Sequence, residues 1–436
     1  MTGTGQLFPA LPFAQHDQFR YFESFFLRLK KQILPSSKMD QPTAAKRITF
    51  DPMGIFTTTL VSPSCNPTRR WTLAVILILW ALVNGILLWQ QGIVTTGEAH
   101  KYVRIAHYYL DNGHLTAPNF QYYSIIIFLA AFFIKLHLGL FPVVVVQMLV
   151  NLAATLYFFQ TIHKLFRSER TALAVTLLLL LNIPYQSFNT AIQSESLFQS
   201  LSLLVSCYLL QRPHFLVRHL LYILIFIAIL SLSRPLGIVY APAAFTYFYI
   251  TSLRHAGMIP RIAFLGTLAL AFLYVLNHAM GSGGEYNFML PFQEEHIICG
   301  SPTLLHPLNF PVAGNGNSVY ALLYYIFHHP GQFLRLAFWK TISFWGIYRP
   351  YFSMLHNLLL LLFFYPIFIM AALSLKTWFH WHLNRLVYIL VLILTTWVTV
   401  ILTCDDWSNR IFLSISPYLI LLSAGFLKSF FPSTES

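Results

Sequence analysis

Apolar runs of about 20 residues recur along the chain, separated by short polar clusters, and a run of that length crosses a bilayer as one helix. The first is Trp71–Gln91, directly after Arg69 and Arg70. Further spans are predicted at 142–163, 171–188, 197–211, 219–235, 237–253, 262–280, 356–375, 384–404 and 411–427, ten in all. Tyr122–Gly139 is left out of the count. Its uninterrupted apolar core is Ile125–Ile134, closed by Lys135 and His137, a length that suits an interfacial or re-entrant helix.

The loop charges test that exclusion. Nine Lys/Arg precede the first span, and cytoplasmic segments carry the cationic excess of a membrane protein. With ten spans, Lys164, Arg167, Arg170, Arg212, Arg218, Arg254, Arg261, Lys376, Arg385 and Lys428 join them inside, 19 of the 27 cationic residues. Counting 122–139 as a span would turn those ten to the outside. The pattern therefore predicts an all-α integral membrane protein with both ends cytoplasmic. Residues 1–70 form an N-terminal tail, 71–428 the membrane domain with outer loops at 92–141 and 281–355, and 429–436 a short tail. Within the N-terminal tail, Phe19–Leu34 has the spacing of an amphipathic surface helix; the alternatives are an unstructured tail or a true start at Met39 or Met53.

Composition narrows the function classes. The chain has 436 residues, 57% hydrophobic and only 9% charged, with a mean hydropathy of +0.63. A soluble domain carries about 25% charged residues, so an ordinary soluble enzyme, a disordered chain and a small disulfide scaffold are all excluded. The net charge of +13 sits beside the apolar runs, so it signals membrane orientation and not a nucleic-acid partner. The four cysteines have no zinc or CxxC spacing; Cys299 and Cys404 alone fall outside, where one disulfide is conceivable.

Acids are scarce, fourteen in total, and eight of them fall outside on this topology: Glu98, Asp111, Glu195, Glu285, Glu294, Glu295, Asp405 and Asp406. Charge near a bilayer is costly and is usually kept for a purpose, which points to a reactive face on the outside. In TTGEAHKYVRIAHYYLDNG, the residues Glu98, Lys101 and Tyr102 share one helical face, with Gly97 as a start and Gly113 as a stop. Glu98 either takes a proton from a hydroxyl or starts a helix by favourable interaction with its dipole. Glu195 in SESLF is either a helix-start residue or part of a polar site, and Arg234 in SLSRPLG either snorkels or clamps a phosphate. Lys340 and Arg349 lie among Trp and Tyr of the late loop, and Asp405, Asp406 and Arg410 precede the last span.

These residues, in this order, resemble the GT-C glycosyltransferases, and most closely the branch of protein O-mannosyltransferases and lipid A aminoarabinose transferases (glycosyltransferase family 39 type). The likeness covers about residues 71–428 and rests on six short motifs: Glu98 to Gly113, KLHLG, SESLF, SRPLG, HHPGQFLRLAFWK and DDWSNRIFLSISP. In the family the first-loop acid is usually Asp, where this chain has Glu98 followed by Ala99. The resemblance implies residence in the plasma (inner) membrane and transfer of a sugar from a polyprenyl-phosphate donor to a lipid, glycan or protein acceptor outside the cytoplasm. It makes Glu98 the general base, and Glu195 the residue that orients the acceptor or a helper cation. Arg234, Lys340, Arg349, Arg410 and Lys101 become phosphate ligands, and Tyr102, Asp405 and Asp406 sugar or acceptor contacts. No cofactor is implied beyond an optional divalent cation. The rival readings are a transporter or flippase of lipid-linked glycans, with charges at mid-span, and an outer-face glycan polymerase or ligase.

Overall fold

A computed structural model describes residues 67–212, 218–253, 257–281, 289–299, 318–406 and 408–431. The tail helix expected at 19–34 lies outside these residues. Every regular element among them is helical, apart from two isolated parallel bridges, Val94 with Ala191 and Ile298 with Asp405. Among the described residues, five helices are long and apolar enough to cross a membrane, and a bent pair makes a sixth. The chain is a helical multi-pass membrane protein.

The elements that follow run in chain order. Helix α1 is Pro67–Gln91, α2 Glu98–Asn112, α3 Ser124–Lys135 and α4 Phe141–Phe166. Helix α5 is Glu169–Leu180, α6 Ile183–Ser187, α7 Ser194–Leu210 and α8 Arg218–Ser233. Then come a 3-10 turn at Pro235–Val239, α9 Tyr240–Phe248, α10 Met258–Gly281, α11 Leu290–Gln293, α12 Val319–His328 and α13 Pro330–Gly346. The last two are α14 Met354–Leu402 and α15 Arg410–Phe430.

Helix α3 has 12 residues, about 18 Å at 1.5 Å per residue, too short for a bilayer of about 30 Å. The span expected at 171–188 is broken. Helix α5 stops at Leu180 and resumes after a 60° bend, because Pro184 cannot continue the ladder and the Asn182 side chain caps the new helix at Tyr185 N. The spans expected at 356–375 and 384–404 are two helices within α14, a 49-residue stretch in which they meet at a kink with no loop between them. Straight, it would measure about 74 Å, more than twice a bilayer. Only His382 leaves helical geometry, with φ −144° and ψ 40°, and there the chain folds back. The turn is fixed at its far end: His382 Nε2 pairs with Leu165 O at 3.0 Å, and Arg385 Nε donates to Leu210 O at 2.7 Å. At the near end, Arg349 before the helix and Asp405 after it form an ion pair at 2.6 Å.

Helix α15 is the axis of the bundle. Its apolar window is 78% buried, against 28% in α1, whose Trp71, Ile78 and Trp89 face outward as a lipid-facing helix requires. Several polar groups inside the bundle are paired between helices, as a medium without water favours. Ser206 Oγ lies 2.7 Å from Tyr388 Oη and 2.8 Å from Tyr418 Oη, linking α7, α14 and α15.

Candidate active site

Two backbone segments bring distant acids together. Gly92–Gly97 lies along 188–193, with Val94 N donating to Thr190 O at 3.0 Å and Ile192 N to Val94 O at 3.1 Å. One segment ends where α2 begins and the other where α7 begins, so Glu98 and Glu195 start neighbouring helices. Gly97 has φ +62°, a backbone state that a side chain resists, and it turns the chain into α2. At the other end of α2, Gly113 takes the left-handed cap and donates to Tyr109 O. Amides back this joint: Asn189 Nδ2 donates to Asn84 Oδ1 at 2.8 Å, Ser196 Oγ to Asn189 Oδ1 at 2.7 Å, and Gln147 Nε2 to Ala191 O at 2.9 Å.

The centre of the site is Arg410, the first residue of α15. All five of its side-chain N–H groups are engaged. Nε and one Nη2 hydrogen hold Asp406, at 3.0 Å and 2.7 Å. The end-on fork of Nη1 and Nη2 holds both oxygens of Glu98, the Nη2 arm at 2.9 Å. The remaining Nη1 hydrogen reaches Glu195 Oε1 at 2.9 Å, and Arg234 Nη1 meets the same oxygen at 2.5 Å. Arg234 closes α8 just before Pro235. Gly237 then packs on the Leu230 backbone, where a Cβ would lie 2.2 Å from Leu230 C, so the turn that aims Arg234 needs glycine.

Burial grades these groups. The Glu195 side chain is wholly buried, while that of Glu98 is 38% exposed. Burial raises the Glu98 carboxyl, but the Arg410 charge and hydrogen bond outweigh it and hold the group below its ordinary range. Asp406 is likewise opposed by burial and pulled down to about 2, chiefly by Arg410. Tyr102, buried against Tyr123 at 5.3 Å between ring centroids, has its phenol pushed well up by burial and then by Tyr123, Glu195 and Glu98.

Of the residues singled out in the sequence, Glu98, Glu195, Arg234, Asp406 and Arg410 share one cluster, with Tyr102 beside it. The other expected ligands lie elsewhere. Arg349 is fully buried behind the cluster. It donates to Asp405 Oδ2 at 2.6 Å, Asp406 O at 2.7 Å, and Ser343 O and Oγ at 3.0 Å each. Asp405 is fully buried on that same arginine and on Ser343 Oγ at 2.7 Å, and burial raises its carboxyl despite Arg349. Both were expected at the ligand; their atoms are instead spent on the 405–410 turn. Lys340, expected at the phosphate, is also buried. Its ammonium donates to Ile401 O and Thr403 O, closing the carbonyl end of α14, and lies 4.3 Å from the Phe292 ring centroid. The Lys101 ammonium lies over the Phe120 ring at 5.1 Å and outside the ion-pair cluster.

Cys299 and Cys404 form a disulfide next to Asp405, where Cys299 N also donates to Asp405 O and Asp405 N to Ile297 O, both at 2.9 Å. Ser343, Asn189 and Asn357, whose side chain pairs with the Arg349 backbone N–H and carbonyl at 3.0 Å and 2.8 Å, were not legible as site-building residues. Among the described residues, no group of three or more His, Cys, Asp or Glu side chains could hold a metal ion. Compared with protein-family models, curated proteins and solved structures, the chain finds no match.

Proposed function

We propose that the protein is a membrane glycosyltransferase of the GT-C type, moving a sugar from a polyprenyl-phosphate donor to an acceptor at the outer membrane face. The observation that carries the reading is the convergence of Glu98, Glu195 and Asp406 on Arg410, with Arg234 alongside, at one end of an apolar bundle. Glu98 and Glu195 meet on one guanidinium nitrogen, well within the ~15 Å that a bound sugar and its acceptor span. A carboxylate open to the outside beside guanidinium groups is the pairing that such a displacement needs. Glu98 takes the proton of the acceptor hydroxyl while its oxygen bonds to the anomeric carbon. The bond from that carbon to the phosphate oxygen breaks, and the phosphate monoester leaves with the electron pair, neutralised by arginine.

Ten crossings belong to the same proposal: α1, α4, the bent α5–α6 pair, α7, α8, the Pro235–Leu253 segment, α10, the two arms of α14, and α15. Helices α7 and α8 are short for spans, with 17 and 16 residues, and α7 is sheathed by protein along most of its length. The disulfide supports an outward site, because an oxidised pair beside Asp405 belongs to an oxidising compartment. Lys164, Arg167, Arg212, Arg385 and Lys428 gather at the opposite end, which supports a cytoplasmic location for both tails in a plasma-type membrane. A transporter or flippase would set its charges at mid-span, whereas here they cluster at the ends.

The test is reconstitution of the purified protein with a panel of labelled polyprenyl-phosphate sugars and membrane acceptors. Transfer from at least one donor, lost in Glu98→Gln, supports the reading. No transfer from any member of a broad panel removes it.

A further inference from the structure

The Arg410 guanidinium has no N–H left to offer. Asp406 takes the side-on fork, Glu195 takes one Nη1 hydrogen from inside the bundle, and Glu98 takes the end-on fork. A phosphate that comes to Arg410 must therefore remove a carboxylate. Charge says the same: three carboxylates face two guanidinium groups, so the cluster carries one uncompensated negative charge before any anion arrives.

The three carboxylates are not equally free to leave. Asp406 also accepts from Ser408 N at 2.8 Å and is only 11% exposed; its removal would undo the start of α15. Glu195 is wholly buried and shared with Arg234. Glu98 has no such tie and is the most exposed of the three, at 38%. The fork it holds is the planar, two-toothed edge that binds a carboxylate and a phosphate alike.

Building on the transferase reading above, we propose that the end-on edge of Arg410 is the seat of the donor's phosphate and that Glu98 occupies this seat until the phosphate displaces it. The exchange has a consequence for chemistry. In the resting pair, Glu98 is held too acidic to be a good base. Once the phosphate has taken Arg410, that restraint is gone and a negative charge stands nearby, so Glu98 becomes a stronger base only when a donor is in place. Base and donor site are thus assembled by one exchange of partners.

The test is binding of farnesyl phosphate to the purified full chain in detergent, with farnesol and inorganic phosphate as parallel arms. Glu98→Gln and Glu98→Ala remove the competing charge, so both should bind farnesyl phosphate roughly 5–100-fold more tightly than the unaltered protein. Farnesol affinity should stay unchanged. A parallel gain for inorganic phosphate would show that the seat reads the headgroup alone; a gain confined to farnesyl phosphate would show that the lipid tail is also read. Arg410→Lys, which keeps the charge but not the fork, should lose the gain in the double variant with Glu98→Gln. Equal or weaker farnesyl phosphate binding in both folded Glu98 variants overturns the proposal. Sugar transfer by the unaltered protein is scored separately: transfer with no gain in these variants sinks the displaced-seat idea alone, and the gain without transfer from any donor sinks the transferase reading alone.

Discussion

Arg234 and Arg410 donate to the same carboxylate oxygen, Oε1 of Glu195, at 2.5 Å and 2.9 Å. One wholly buried acid thus holds two guanidinium groups, one just after α8 and one at the start of α15, side by side against their mutual repulsion. Glu195→Gln keeps the shape but removes the charge that permits the arrangement. Breaking a buried pair in this way costs about 3–5 kcal/mol, and unfolding followed by heat or denaturant in detergent should show a loss of that size. A variant as stable as the parent would mean that Glu195 is not what holds the arginines together.

Glu98 gives a kinetic prediction. Glu98→Gln should lower turnover by about 10²–10⁴-fold without raising KM for the donor, because the amide cannot take the proton. A helix-start residue alone would cost about 1 kcal/mol or less of stability and leave the rate per folded molecule within a few-fold. Glu98→Asp retains the carboxylate and shortens its reach by one methylene. A base in contact with the acceptor should suffer from that withdrawal, while a helix start would tolerate it.

Lys340 predicts an unusual pH response. Burial pushes its ammonium down to about 7 from 10.5. Below pH 7 the lysine is charged in both states, and the folded chain bears the cost of burying that charge. Between pH 7 and about 10 the folded chain has released the proton and the unfolded chain has not, so stability rises with pH, by up to about 4 kcal/mol. Buried tyrosines such as Tyr325, raised to about 12, oppose this only above their ordinary value of 10.0. The thermal midpoint should therefore climb from pH 7 to 9.5, and Lys340→Met should flatten the climb. A parent protein with no climb would mean that the ammonium is not desolvated.

The Cys299–Cys404 bond closes a loop across 105 residues and ends one residue before Asp405. Its loss should cost about 2–5 kcal/mol and loosen the turn that carries Asp406 and Arg410. Mild reduction of the purified protein should lower the thermal midpoint, and transfer activity with it. Full activity after verified reduction would show that Arg349 and Lys340 hold the turn unaided.

Sidedness can be read by labelling. Cysteines placed at the exposed positions Asp111 and Arg170 should react with an impermeant maleimide from opposite faces of the membrane. Reaction from one face would overturn the ten crossings.

The sequence by itself determined that this is a helical membrane chain, because burying so many apolar residues with so few charges has no soluble solution. It also determined α2 with its two glycines, and the short α3, since caps and run lengths are local properties. The reversal between the two arms of α14 was legible as two successive spans, but its tightness at His382 was not. The residues around it read as a polar loop, whereas the two helices run up to His382, where His382 and Arg385 bond to the carbonyls of Leu165 and Leu210 from other helices. The site divided the same way. Scarcity of acids singled out Glu98, Glu195 and Asp406, because an acid near lipid is costly wherever the chain puts it. Which cation each acid meets was left to tertiary structure. Arg349 and Arg410 are alike in sequence, both interfacial arginines near aromatics, yet one is sealed behind the turn by Asp405 and the other opens on Glu98. Partners hundreds of residues apart, such as Glu98 and Arg410, meet only because the 92–97 and 188–193 segments pair and α15 runs down the centre of the bundle, and no local pattern encodes either event.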